Sequence, residues 1–129
     1  MKMLVGCTDP MFRGFVAAAA RDCGYEVVTV DDVDQLKMHL GSGLYHSAVI
    51  NFLYPTFNAA DLLASLGRSK GWTSRRPTIY VLSWLHHEKH VIDLYEMGID
   101  EFHTLPVNIE RLKQSFRRRC EPAGIGERN

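Results

Sequence analysis

The sequence predicts a doubly wound α/β fold, in which a five-stranded parallel sheet carries helices on both faces. Short apolar runs alternate along the chain with segments of helical hydrophobic period, which is the pattern of this fold class. The run over residues 47–52 is almost continuously apolar until Asn51, as expected of a central strand buried on both faces. With 129 residues, 46% of them hydrophobic, the chain is long enough for one domain with its own core.

Each predicted strand is a short apolar or β-branched run bounded by polar or turn-forming residues. In chain order, these runs cover residues 3–7, 25–30, 47–52, 78–83 and 101–105. Amphipathic segments fill the intervals and predict helices over residues 11–23, 33–40, 58–66, 87–97 and 109–119. The strict alternation predicts a flavodoxin-like sheet with the strand order 2-1-3-4-5.

Capping residues mark the predicted helix boundaries. Asp9 followed by Pro10 starts the first helix, and Gly24 stops it. Either Asp31 or Asp32 caps the second helix. Apolar residues at helical spacing are expected to face the sheet, namely Phe12, Phe15, Val16 and Ala19 in the first helix, and Ile109, Leu112 and Phe116 in the last.

The composition argues against several functional classes. Lys and Arg number 15, as do Asp and Glu, and this balance is unlike that of a protein that coats nucleic acid or an anionic membrane. The apolar runs are shorter than the roughly 20 residues of a membrane helix, and the first residues have no signal-peptide pattern, so a cytoplasmic protein is expected. The three cysteines form neither a disulfide framework nor a Cys-x-x-Cys motif.

The candidate site lies at the carboxyl ends of the predicted strands, where doubly wound sheets form a crevice near the switch point between the first and third strands. Six residues occupy these strand ends: Cys7, Thr8, Asp9, Asn51, Ser83 and Leu105. A binding or regulatory site is therefore expected at this edge of the sheet.

Four stretches, in order and at matching spacings, resemble the receiver domain of bacterial two-component response regulators. They are residues 4–10 (LVGCTDP), 49–55 (VINFLYP), 81–83 (VLS) and 98–106 (GIDEFHTLP). The likeness extends over residues 3–119, so we expect one receiver-like domain over residues 1–119 and a tail or the start of a linker over residues 120–129.

The resemblance also shows which family chemistry is missing. Asn51 stands in place of the family's phospho-acceptor Asp, and an amide cannot form an acyl phosphate. Cys7 and Thr8 replace the acidic pair that holds magnesium, which leaves Asp9 as the one carboxylate of the motif. Leu105 replaces the family's Lys, and of the reactive set only the hydroxyl of Ser83 matches. The resemblance therefore implies a pseudo-receiver that is not an enzyme and needs no metal or cofactor.

The function implied is phosphorylation-independent signal transduction through protein–protein contacts. Receivers resemble one another in using the face formed by the fourth helix, fifth strand and fifth helix, which holds the candidate interface residues Tyr95, Asp100, Glu101, Arg111, Arg117 and Arg118. The partner is expected to be another protein or a second copy. If residues 120–129 start a linker, an output domain would follow them. Phe102 stands at the family's aromatic switch position, where Phe can move as the usual Tyr does. Without phosphorylation to drive it, a core or half-exposed ring with no switching role is slightly favoured.

Two alternatives stay open at the sequence level. The neutralised crevice is suited to a sensor that holds a small ligand, or whose Cys7 takes up an oxidant, although an unpaired cysteine is more often a small apolar core residue. His86 and His90 are spaced one helical turn apart, as in a metal-binding pair, but two such residues more often belong to a solvated helix start.

Overall fold

The computed structural model describes residues 1–51, 62, 76–84 and 87–120. The strands in this part of the chain are β1 (Lys2–Cys7), β2 (Glu26–Val30), β3 (Ser47–Asn51), β4 (Thr78–Ser83) and β5 (Glu101–Thr104). The helices are α1 (Pro10–Asp22), α2 (Val33–Leu40), α3 (Glu88–Met97) and α4 (Ile109–Cys120). The predicted helix over residues 58–66 lies outside the described residues except for Leu62, which is helical and buried, and residues 121–129 of the predicted tail also lie outside them.

All neighbouring strands are parallel, and their order is β2-β1-β3-β4-β5, which confirms the predicted doubly wound topology. The register of β1 and β3 aligns Leu4 with Ala48 and Cys7 with Asn51. Every residue of β3 is buried, as its apolar sequence predicts for a strand covered on both faces. Among the described residues, no helix is long and apolar enough to cross a membrane.

The sheet separates two hydrophobic cores because successive side chains of a strand point to opposite faces. On one face, Met3 and Val5 of β1 pack with residues of α1 and α4, including Val16, Leu112 and Phe116. On the other face, Leu4 packs with residues of α2 and α3, including Leu36, Leu40 and Leu94. The helices therefore cover both faces of the sheet.

Side-chain caps begin the first two helices. Asp9 Oδ1 accepts a hydrogen bond from the Met11 backbone nitrogen at 3.0 Å and caps α1. Asp32 is the cap of α2, and its Oδ1 accepts from the Gln35 nitrogen at 2.7 Å. At the other end of α3, Gly98 ends the helix with a φ of 111°, a left-handed conformation that favours glycine.

The prediction that Phe15 is buried is wrong, because its side chain is 59% exposed. The buried stripe of α1 runs through Val16, Ala19 and Ala20, with Phe12 half-buried one turn earlier. Phe15 lies on the neighbouring stripe together with Met11, which is 73% exposed. The small alanines let α1 pack closely on the sheet and leave the bulky ring at its flank.

Replacing Phe116 by Ala should lower the free energy of unfolding by about 3–5 kcal/mol, because the fully buried ring packs edge-on against Tyr80 and leaves a cavity when removed. The same change at the exposed Phe15 should cost no more than about 0.5 kcal/mol. Urea denaturation of the two variants measures both values. Equal losses would contradict the assignment of one ring to the core and the other to the surface.

Candidate functional site

Parallel pairing brings the predicted crevice residues to one edge of the sheet. Cys7 and Asn51 end β1 and β3 and are register partners, and Ser83 ends β4. Leu105 follows β5 directly, and its backbone nitrogen donates to the Ser83 carbonyl at 3.0 Å. Thr8 and Asp9 come directly after β1 and are exposed, whereas Cys7 and Asn51 are 1% and 3% exposed. The two residues at the centre are therefore shielded from solvent.

Both ends of the Asn51 amide are hydrogen-bonded within the chain. Its Nδ2 donates to the Leu82 carbonyl oxygen at 2.6 Å, and its Oδ1 accepts from the Cys7 thiol at 3.3 Å. A carbonyl can only accept, so the nitrogen must face Leu82 and the amide has one orientation. Asn51 thus joins the ends of three strands through neutral hydrogen bonds, at the position that the sequence resemblance assigns to the family's acceptor.

The thiol of Cys7 is held in its protonated form. Burial raises the pKa of Cys7 above its ordinary value, and the negative charge of Asp9 adds to the increase. These two effects outweigh a hydrogen bond with the Asp9 backbone and the positive charge of Arg13, both of which lower the pKa. A protonated, buried thiol is a weak nucleophile, and its proton serves the hydrogen bond to Asn51.

The crevice residues do not fit a magnesium ion. Mg²⁺ prefers charged oxygen ligands in octahedral geometry. Asp9 is the one carboxylate that the receiver motif places here, and its Oδ1 already caps α1. Cys7 supplies a protonated sulfur and Asn51 a neutral amide that is already hydrogen-bonded. Within the described ranges, no group of three or more His, Cys, Asp or Glu residues is placed to hold any metal.

At the position that the sequence resemblance assigns to the family's Lys, Leu105 has an apolar side chain. It is 7% exposed and belongs to the core cluster between the sheet, α1 and α4. A Lys in the family extends a charge toward the acceptor, whereas this side chain contributes to packing. Of the two histidines spaced one helical turn apart, His86 lies outside the described residues, and His90 is half-buried in the first turn of α3.

The second predicted region lies on α3, β5 and α4. Tyr95 of α3 is 46% exposed, and its hydroxyl accepts a hydrogen bond from the Phe102 nitrogen at 2.9 Å. Phe102 itself is half-buried and packs against the core cluster that contains Leu94. The ring at the switch position is therefore held on the sheet edge by α3. The role of Phe102 as a switch stays a prediction.

The acidic residues of this region have partners within the chain. Arg119 Nε donates to Glu101 Oε2 at 2.7 Å, and Arg118 Nη2 lies 3.4 Å from the same oxygen. Burial alone would raise the pKa of Glu101, but hydrogen bonds, led by that of Arg119, hold it below its ordinary value. Asp100 Oδ2 accepts from the Ile79 nitrogen at 2.8 Å. These carboxylates therefore stabilise the fold before they meet any partner.

The remaining arginines of this region are exposed. Arg111 and Arg117 lie on α4 and make no ion pair with any other described residue. The charge that this face offers to another molecule therefore includes two unpaired guanidinium groups. Arg118 is exposed as well, although it forms an ion pair with Glu101.

Sequence reasoning missed an apolar cavity beside the crevice. It has a volume of about 350 Å³ and is lined by Asp9, Phe12, Phe15, Asn51, Trp84, Leu105, Pro106, Val107 and Ile109. Trp84, which directly follows β4, is 55% exposed. Two features of the sequence could have indicated this cavity. Phe15 lies one position before Val16 of the buried stripe of α1, and the aromatic residue Trp84 directly follows β4.

In the native protein, Cys7 should resist alkylation at neutral pH, because it is buried and its raised pKa keeps the thiolate scarce. We expect iodoacetamide to label it at least about tenfold more slowly than in urea-unfolded protein, as followed by peptide mass spectrometry. The half-buried Cys23 is the internal comparison. Labelling of Cys7 at equal rates in folded and unfolded protein, or rapid oxidation by dilute peroxide, would contradict this description.

The fold matches that of known structures. No protein-family model matches the sequence, and no curated protein matches it. The receiver domain of a Francisella response regulator is 20% identical, with a TM-score of 0.78 and coverage of 92% of this chain and 94% of that one. The Vibrio cholerae chemotaxis protein CheY4 is 16% identical, with a TM-score of 0.76 and coverage of 92% and 98%.

A third similar structure is the receiver domain of a Pseudomonas aeruginosa sensor histidine kinase, solved with magnesium in its active-site cleft. It is 17% identical, with a TM-score of 0.74 and coverage of 91% of this chain and 94% of that one. At such low sequence identities the similarity establishes the fold alone, so any chemical activity has to be inferred from the residues of this chain. The chain has the fold of CheY-like response regulator receiver domains.

Proposed function

We propose that this chain is a pseudo-receiver, a regulatory module that transmits signals by protein–protein contact without being phosphorylated. The observation that carries the proposal is the buried Asn51 amide, which bonds to Leu82 and Cys7 instead of presenting a carboxylate. The proposal assigns residues 1–119 to one receiver-like domain of a cytoplasmic, bacterial protein. It assigns residues 120–129 to a tail or the start of a linker.

The three changes in the crevice support one another. Phosphoryl transfer to a receiver needs a nucleophilic carboxylate, a divalent cation and a compensating positive charge. Asn51 cannot supply the first, the set of Cys7, Thr8 and Asp9 is poor for the second, and Leu105 replaces the third. Removing the charges together leaves a centre whose polar groups are satisfied by each other, so its stability does not depend on a bound cation.

The interaction face is proposed on α3, β5 and α4. Tyr95 offers an exposed aromatic ring, a residue type that often dominates binding energy. Arg111 and Arg117 offer charges that are not used within the described part of the chain. In a symmetric dimer, Asp100 and Glu101 of one copy would have to pair with the basic helix of the other. Both carboxylates are already hydrogen-bonded within the chain, so a partner with an acidic surface suits this face better. A second copy remains an outcome of the test.

Incubation with acetyl phosphate and Mg²⁺ should give no mass increase on the intact protein, and beryllofluoride with Mg²⁺ should leave the amide NMR spectrum unchanged. The reason is that no carboxylate stands at position 51 to accept either group. A phosphorylatable receiver domain treated in parallel is the positive control. A stable phosphorylated form of this chain, detected by mass spectrometry, would refute the proposal.

Photo-crosslinking should locate the partner surface. The photoreactive amino acid benzoylphenylalanine is placed at Tyr95 or at Arg117, and in a control variant at Met38, which is 66% exposed on α2. Irradiation of the cells that make the protein should give the same discrete adduct from the first two positions and not from the third. Mass spectrometry then shows whether that adduct is a self-dimer or another protein. An adduct from Met38 alone, or no adduct from Tyr95 and Arg117, would contradict the assignment.

A further inference from the structure

The cavity beside the crevice differs in chemistry from the crevice centre. Of the nine described residues that line it, seven are apolar, and three of those are the aromatic residues Phe12, Phe15 and Trp84. They come from α1 and from the end of β4, so two separate elements supply the aromatic walls. The segment that leads into α4 contributes Pro106 and Val107, and Ile109 is the first residue of α4.

The size of the cavity and the exposure of its rim suit a small molecule. A volume of about 350 Å³ lies at the lower end of the range for ligand pockets. Phe15 and Trp84 are 59% and 55% exposed, so two large rings at this site are left in contact with water. Covering them would remove apolar surface from solvent, which is the main source of affinity for an apolar ligand.

The charge of the residues that line the cavity indicates which polar group a ligand should carry. Asp9 is the only charged residue among the described residues that line it. Its Oδ1 caps α1, while Oδ2 makes no hydrogen bond to the part of the chain that the structure describes. The facing polar side chain, Asn51, is already bonded to Leu82 and Cys7. The unused polar group is therefore an anionic acceptor, which favours a donor of positive charge.

We propose that this cavity binds a small aromatic or alicyclic amine, with its ring between Phe12, Phe15 and Trp84 and its ammonium group at Asp9. Aromatic faces attract cations, so the same walls favour the charged form of the amine. An anionic ligand such as a phosphate would meet a carboxylate and apolar walls, and is disfavoured. This proposal is independent of the signalling face on α3, β5 and α4, and it gives the neutral crevice an input that phosphorylation no longer supplies.

The test compares three probes that share one ring system: naphthylmethylamine, naphthalenemethanol and naphthoate. Isothermal titration calorimetry should show the amine binding at least about fivefold more tightly than the alcohol, with the carboxylate weakest. The indole N–H resonance of Trp84 should shift on binding. Failure of all three probes to bind, or equal binding of amine and alcohol, would overturn the proposal whatever the result of the phosphorylation test.

Variants separate the charge from the apolar walls. Asp9→Asn keeps a good helix cap and removes the charge, so it should make the amine and alcohol bind equally. Trp84→Ala should weaken both by about tenfold. The matched controls, Asp32→Asn and Met38→Ala on α2, should change neither affinity. An unchanged amine preference in Asp9→Asn, or equal effects from the controls, would overturn the assignment.

The remaining outcome concerns a second copy of the chain. If the Trp84 resonance shifts with protein concentration in the absence of any probe, then the occupant of the cavity is another protein molecule and the amine site is overturned. A resonance that is constant over the concentration range and shifts only with the amine supports the proposal.

Discussion

The hydrogen bonds of one buried amide organise the centre of the crevice. Asn51 joins the carboxyl ends of β1, β3 and β4 through the Cys7 thiol and the Leu82 carbonyl. A carboxylate at the same place would need a cation, because a buried charge without a partner costs several kcal/mol. The neutral arrangement needs none, and the rest of the crevice is consistent with it: Cys7 stays protonated, and Leu105 packs into the core.

The environment beside the crevice is apolar. A receiver that is phosphorylated must keep its site polar and open to water, a metal and a phosphoryl donor. Here the neighbouring cavity is walled by aromatic and aliphatic side chains, and among the described residues that line it Asp9 is the one that is charged. Under the two proposals made above, this edge of a receiver-type sheet serves apolar recognition instead of phosphoryl transfer.

Sequence patterns predicted the fold because burial and periodicity are local properties. β4 runs over the six residues expected, and Gly98 ends α3 as its left-handed backbone requires. The position of Phe15 was not predicted, since helical spacing allows two adjacent stripes and only packing against the sheet chooses between them. The contacts of Glu101 with Arg118 and Arg119 were also missed, because residues 17 and 18 positions apart meet only after β5 and α4 fold together. The crevice residues could be predicted because the sheet topology brings the strand ends together. The cavity could not be predicted, because it depends on how α1 and the segment before α4 pack in the folded chain.

The stability of an Asn51→Asp variant tests the central claim most directly. A carboxylate at this buried position would lose the bond to the Leu82 carbonyl, so the free energy of unfolding should fall by about 2–4 kcal/mol at pH 7. Because burial raises the pKa of such a group, the loss should shrink at about pH 4, where the protonated acid can donate to that carbonyl. Addition of about 10 mM Mg²⁺ should restore nothing, since the neighbouring residues do not form a magnesium site. A variant as stable as the parent at pH 7, or one that regains its stability with Mg²⁺, would contradict the account.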